Sequence, residues 1–295
     1  MTLARTTEFD AFGPWVLEVA SPDDLPRLFR DVDLSGARLA VKVPRAIERR
    51  YASPSMDLYD YLVVAGDQSV TILSRAGDRY STSVLDYDAV VLIEVSVNLL
   101  DGRLRLLAGD GAEFVLPFNG VSEALMMRLV DVLRSRVPAS SRRANFVVES
   151  APARTDLGAQ DVWLTGQFRE LTRSQPEVQY FGGYGRGRLV PKGGAVARAL
   201  SVVRPAVLHG VIVGGRGDEL QLLSRRQWLT RARGPVYSRA RTVIRPSSVT
   251  SVATVPHPDF YDVNTVSIQL GSTTVEYPVR PGSQVERALL ALVAG

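Results

Sequence analysis

The chain runs through one order of signals twice. Tyr61–Ala65, a Gly66-Asp67 turn and Val70–Arg75 predict a strand hairpin, because Gly-Asp supplies the backbone conformations a tight turn needs. Its counterpart is Gly210–Val213, a turn through Gly214, Gly215, Arg216, Gly217 and Asp218, and Leu220–Arg225. Near the end of each half a strand reaches proline before a helix begins, over Glu113–Gly120 and again over Thr274–Gly282. The first helix puts Leu125, Met126, Leu129, Val130 and Leu133 on one face; Val285, Ala288, Leu289, Leu292 and Val293 repeat that spacing. Ser283 with Glu286 reads as a capping box at the second helix start. Short strands over Val90–Val97, Leu104–Ala108, Val249–Val255 and Val263–Leu270 fill the space between, uninterrupted by a long helical pattern.

These signals predict a β-rich α+β fold. A strand-rich body followed by one amphipathic helix resembles the pleckstrin-homology-like (PH-like) domain, over roughly Leu39–Val137 and Ala206–Ala294, and the pair is similar to a bacterial tandem PH-like protein. The resemblance implies two partly open β-barrels, each closed by a C-terminal helix, and a role in lipid binding, peptide binding or assembly, among which fold alone does not choose. The other arrangement open to these signals is two unrelated small barrels or sandwiches with terminal helices. The expected division is residues 1–137, an N-terminal extension with the first PH-like domain; a linker, 138–161, rich in Pro, Ser and Ala; and 162–295, the second PH-like domain with an N-terminal insertion. In the extension, Ser21-Pro22-Asp23-Asp24 predicts a short helix running to about Phe29.

A chain of 295 residues is long enough for two domains with separate cores. Without cysteine it has no disulfides, thiol nucleophiles or thiolate metal sites. The N-terminal residues carry acids where a secretory signal needs an apolar run, and Arg198, Arg204, Pro205 and His209 break the stretch Ala195–Val213, so neither export by that route nor a transmembrane helix is expected. A cytoplasmic location, with peripheral membrane attachment left open, follows as an expectation. Charge is uneven: residues 1–150 hold 17 basic and 21 acidic side chains (net −4), residues 151–295 hold 18 and 10 (net +8). Such asymmetry points to an anionic partner for the second half or to docking between halves.

The densest basic stretch, Arg225–Arg245, contains Arg225, Arg226, Arg231, Arg233, Arg239, Arg241 and Arg245 and no acid. Arg231 with Arg233, and Arg239 with Arg241, are two apart, so on strands each pair shares a face. A turn at Gly234-Pro235 could set the pairs on facing strands, where like charges call for a counter-charge. Guanidinium groups bind phosphate and carboxylate in bidentate fashion. These arginines are therefore candidate ligands for an anionic lipid head group, an acidic protein surface or another polyanion, against the alternative of a solvated arginine face. A secondary patch comprises Arg45, Arg49, Arg50 and Tyr51, although the neighbouring Asp57 and Asp60 could pair with those arginines inside the domain. Phe181–Gly187, FGGYGRG, reads as a loop and fits neither the dinucleotide nor the P-loop spacing.

Catalytic chemistry has little to stand on. His209 and His257 are the two imidazoles; His257, Asp259 and Asp262 fit turn chemistry better than metal ligation, and no nucleophile motif is present. The expected function is a non-enzymatic binding or scaffolding module without cofactor or metal that recognises an anionic ligand through the second-domain arginines. The alternative is an assembly unit that pairs or oligomerises, as a homo-oligomer among other forms, through its PH-like domains.

Overall fold

A computed structural model of the chain describes residues 8–136, 157–158, 160–194, 205–217, 219–231 and 236–293. They form a β-rich α+β structure that divides into two compact units. The first takes in residues up to Val90, Leu100–Leu104 and Val115 through the following helix; the second takes in Val91–Leu99, Arg105–Phe114 and the second half of the chain. The division expected at residue 137 thus differs from the spatial one. Two strand segments that precede 137 belong with the second unit. Most of the expected linker, 138–161, lies outside the described residues, as do Arg233 and Asp218.

In the first unit, helix α1 (Glu8–Ala11) and strand β1 (Leu17–Glu18) precede β2 (Leu39–Pro44), β3 (Tyr59–Ala65), β4 (Ser69–Ala76) and β5 (Arg79–Asp86). These strands form an antiparallel sheet in the order β1-β2-β3-β4-β5. The predicted hairpin is β3-β4, with Ala65 opposite Val70. The sheet packs a core of Phe12, Phe29, Leu58, Tyr59, Leu62 and Leu73. The helix expected over 22–29 forms instead as two 3₁₀ turns, Pro22–Asp24 and Arg27–Phe29. Pro26 has no N–H for an intrahelical bond, which ends the first turn, while Asp24 accepts from both the amide and hydroxyl of Ser21 at 3.0 and 2.9 Å.

Strands β6 (Val90–Asn98), β7 (Asp101–Ala108) and β8 (Glu113–Asn119) lead to α2 (Glu123–Arg136). Of the predicted α2 face, Met126, Leu129, Val130 and Leu133 are buried and Leu125 half-buried, and the helix packs against β3. Ser122, just before the helix, accepts a hydrogen bond from the Val16 amide at 2.8 Å.

In the second half of the chain come α3 (Val162–Ser174), β9 (Gln179–Tyr184), β10 (Gly187–Arg188), β11 (Ala206–Leu208), β12 (Val211–Arg216), β13 (Glu219–Ser224), β14 (Leu229–Arg231) and β15 (Arg239–Ile244). Then come β16 (Val249–Pro256), β17 (Asn264–Leu270), β18 (Thr273–Val279) and α4 (Gln284–Leu290). The largest sheet runs β8-β7-β6-β15-β13-β12-β9, and two three-stranded sheets run β10-β11-β14 and β16-β17-β18. Among the described residues no sheet closes on itself.

Phe181–Gly187, expected as a loop, is largely strand: β9 pairs with β12 and buries Phe181 and Tyr184. Its glycines permit this, because a Cβ at Gly182 would collide with Gln284 of α4 and one at Gly183 would press on the Val211 carbonyl. Helix α4 buries Val285, Ala288 and Leu289, with Leu292 just beyond it, in the core that also holds Leu220, Leu222, Val266 and Ile268. The capping box forms in part. Ser283 Oγ accepts from the Glu286 amide at 3.1 Å, whereas the Glu286 carboxylate accepts from the Gly282 amide at 2.6 Å. That carboxylate also accepts from Asn264 Nδ2 (2.6 Å) and Thr254 Oγ1 (3.2 Å), so a buried charge is satisfied while fastening α4 to β16 and β17.

Candidate functional site

Strand alternation sorts the groups on the large sheet of the second unit into two faces. Register sets Glu94 and Leu222 opposite Thr242, and Val95 and Leu223 opposite Arg241. On the second face, Leu223 and Ile212 pack with Leu164 and Leu171 of α3. There Arg241 donates to Gln221 Oε1 (3.0 and 3.2 Å) and Gln175 Oε1 (3.4 Å), and Arg225 lies over the Trp163 ring at 4.2 Å while donating to the Ser238 carbonyl at 2.8 Å. Burial depresses the Arg225 pKa, with Asp161 acting in the opposite direction.

The first face opens on a cavity of ≈ 520 Å³ lined by Glu94, Arg105, Arg226, Trp228 and the β18 segment Thr274–Pro278. Trp228 and Tyr277 form its aromatic wall, with ring centroids 4.8 Å apart. The Arg226 guanidinium donates to the Ser96 carbonyl at 3.2 Å, and its amide is held by Ser238 Oγ at 3.2 Å. Arg105 is anchored by Glu113 at 2.7 Å. Burial opposes its charge, but the hydrogen bond and charge of Glu113, with the charge of Glu94, hold its pKa above the ordinary value. Glu94 accepts from Thr242 Oγ1 at 3.2 Å. Burial raises its carboxyl pKa, offset in part by Arg105, Thr242 and Arg226. Tyr277 is pushed up by burial and then by the Glu94 charge, so its phenol stays protonated. Arg105 and Arg226, the acidic residues Glu94 and Glu276, and an aromatic wall thus line one cavity.

The remaining arginines lie elsewhere. Arg231 is 60% exposed, pairs with Asp259 at 2.7 Å and sits over Phe260. Arg239 is half-buried on β15, and Arg245 is half-buried just beyond it, its amide donating to the Val91 carbonyl. Among the described residues no facing hairpin forms: β14 pairs with β11, while β15 lies between β13 and β6. In the first unit, Arg45 meets Asp60 at 3.8 Å, Arg49 binds the Asp10 and Phe12 carbonyls, and Arg50 pairs with Glu48 at 2.7 Å beneath the exposed Tyr51. Among the described residues no group of three His, Asp or Glu side chains is placed to hold a metal ion, and no helix is long and apolar enough to cross a membrane.

No family model, curated protein or solved structure matches the chain. The cavity is therefore read from its own chemistry. Of the arginines picked out in the sequence, Arg226 alone among those described lines it; Glu94, Arg105, Trp228 and Tyr277 were not singled out. One signal was available, since Glu94 is the single charge in the run Val90–Val97, apolar apart from it and Ser96.

His209 lies near the second face, 4% exposed, with Nε2 2.8 Å from Thr230 Oγ1. Burial lowers its pKa from 6.5 to about 4, reinforced by Arg186 and Arg225 and opposed by Asp161. The folded state thus binds this proton less readily than the unfolded chain. Its contribution to stability should be intact above pH 6.5 and decline as pH falls toward about 4. The loss should reach up to about 3 kcal/mol. Urea unfolding at points across this interval checks it: His209→Gln should flatten the decline, and an unchanged slope would assign the pH dependence to other groups.

Proposed function

We propose that the second unit is a non-enzymatic binding module that takes an anionic group into the cavity of Arg105 and Arg226. The observation that carries this reading is the convergence on one cavity, beside two aromatic rings, of guanidinium groups 121 positions apart in sequence. The net positive charge of the second half supports it by drawing anions toward the site. The order of elements also supports a tandem PH-like reading: β2 to β5, then β6 to β8 and α2; and β9, β12, β13 and β15, then β16 to β18 and α4. Proposed with it are a cytoplasmic setting and an anionic lipid head group as the natural source of the charge.

The test uses the full chain, a soluble inositol phosphate and phosphatidylserine vesicles as probes, read by calorimetry and co-sedimentation. Arg226→Gln should weaken binding by roughly ten- to a hundredfold, as expected for loss of charge-assisted hydrogen bonds. Arg226→Lys should keep salt-sensitive attraction but little selectivity. Arg231→Gln, outside the cavity, should leave affinity within about twofold because exposed pairs contribute little. Protonating Glu94 removes a negative charge, so affinity should rise as pH falls through its raised range. Absence of binding to either probe at low salt would overturn the reading in favour of assembly.

A further inference from the structure

The cavity of the second unit is lined by acids as well as arginines, Glu94 and Glu276 beside Arg105 and Arg226. Glu276 is exposed and accepts from Ser267 Oγ at 3.3 Å, so solvent and a neighbour serve its charge. Glu94 is partly buried. Among the described residues its carboxylate makes one hydrogen bond, from Thr242 at 3.2 Å, and no salt bridge. Both arginines of the cavity are engaged by other groups: Arg105 is held by Glu113 at 2.7 Å, and the Arg226 guanidinium donates to the Ser96 carbonyl at 3.2 Å. A carboxylate that has given up part of its hydration without gaining an ion pair is stabilised by any cation a ligand brings to it.

Geometry sets how that cation is carried. Ser96, which receives Arg226, stands two residues beyond Glu94 on β6, and two residues of extended strand span about 7 Å. An oxyanion on Arg226 and a cation on Glu94 therefore lie within the reach of one short linker. Trp228, its ring 4.8 Å from that of Tyr277, adds aromatic surface to the same cavity, and the face of an indole attracts cations. An anion without a cation would bring its charge toward Glu94 uncompensated. We infer that the anion this cavity takes carries an ammonium group: the ligand is an aminoalkyl phosphate, its phosphate on Arg226 and its ammonium on Glu94 beside Trp228. The inference rests on the anion-binding reading above and names the ligand class within it. Such a group occurs as a lipid head group and as a free soluble ester.

Calorimetry with the full chain compares glycerophosphoserine, which carries an ammonium, with glycerophosphoglycerol, which does not; both are net monoanions, so long-range attraction to the protein is matched. Glycerophosphoserine should bind about tenfold more tightly or better, the equivalent of one charge-assisted hydrogen bond. Glu94→Gln keeps an acceptor for Thr242 and removes the charge, so it should bring the two affinities within about twofold of each other, with a melting temperature near the parent's confirming the fold. The pH dependence of the unsubstituted chain gives the same test. Glu94 is faced by Arg105, Arg226, Glu113, Thr242 and Tyr277. Its protonation relieves repulsion of the phosphate in both esters and removes attraction for the ammonium in one, so the ratio of affinities isolates the second effect. That ratio should be full above the raised range of Glu94 and lost as pH falls through it. Co-sedimentation with phosphatidylserine or phosphatidylglycerol vesicles distinguishes the sources: a matching preference assigns a lipid head group, and a preference confined to the soluble esters assigns a free ligand. Equal affinity for the two esters, or a preference that survives Glu94→Gln, would overturn the inference and leave the anion-binding reading standing; absence of binding to either would overturn both.

Discussion

Leu289→Ala is expected to destabilise the second unit by about 2–5 kcal/mol, the range for removing a fully buried leucine side chain from a packed core. Leu289 is 0% exposed and lies among Val285, Ala288 and Leu292 on the buried side of α4. The space left cannot collapse readily, because α4 is held at its start by Ser283 and Glu286 and is approached closely by Gly182 of β9. Leu129→Ala, also at a position 0% exposed, should cost a similar amount in the first unit. Denaturant unfolding with probes in each unit would check both. A change below about 0.5 kcal/mol at both positions, the size of an ordinary surface effect, would reject the packing of both helices.

Gly271→Ala should also be strongly destabilising, for a different reason. Gly271 is the first residue of the two-residue turn joining β17 to β18, where Leu270 pairs with Thr273, and its φ is +58°. Alanine would meet unfavourable backbone geometry and a steric collision together, since its Cβ would run into the Gly109 carbonyl group. That carbonyl accepts the Ser272 amide at 2.8 Å, so neither segment can withdraw without losing a hydrogen bond. A loss of about 3 kcal/mol or more is expected, combining left-handed strain with overpacking. Thermal unfolding checks this against Gly77→Ala in the β4-β5 turn, where φ is +71° but nothing lies within 4 Å. That substitution meets strain alone, so equal losses at the two glycines would remove the collision with Gly109 from the account.

Both expectations bear on the proposed site. β18 supplies one wall of the cavity and β17 ties it to β16, so displacing the β17-β18 turn should weaken anion binding as well as stability. The unit division also limits what truncation can reveal. A fragment beginning at 162 would lack Val91–Leu99, the partner of β15, and with it Glu94 and Arg105. Loss of binding by such a fragment would report the missing strands and not the arginines that remain.

The sequence by itself determined what local periodicity and turn chemistry can encode. The faces of α2 and α4 follow from residues three and four apart, the hairpins β3-β4 and β12-β13 from glycine turns between apolar runs, and the start of α4 from Ser283 and Glu286. Even short-range reading missed Pro26, whose absent N–H splits the expected helix, and took the glycines of β9 for loop residues when they admit a neighbouring helix and strand. Only the tertiary structure decided which strands pair across long separations. β15, Arg239–Ile244, has a strand-forming sequence compatible with many neighbours, and its pairing with β6, more than 140 residues earlier, takes up the edge that an arginine hairpin would have needed. The cavity follows from that same choice: Glu94, Arg105, Arg226 and Tyr277 come to line one space only when distant strands meet, because strand pairing is set by global packing and by backbone hydrogen bonds whose partners no local pattern specifies.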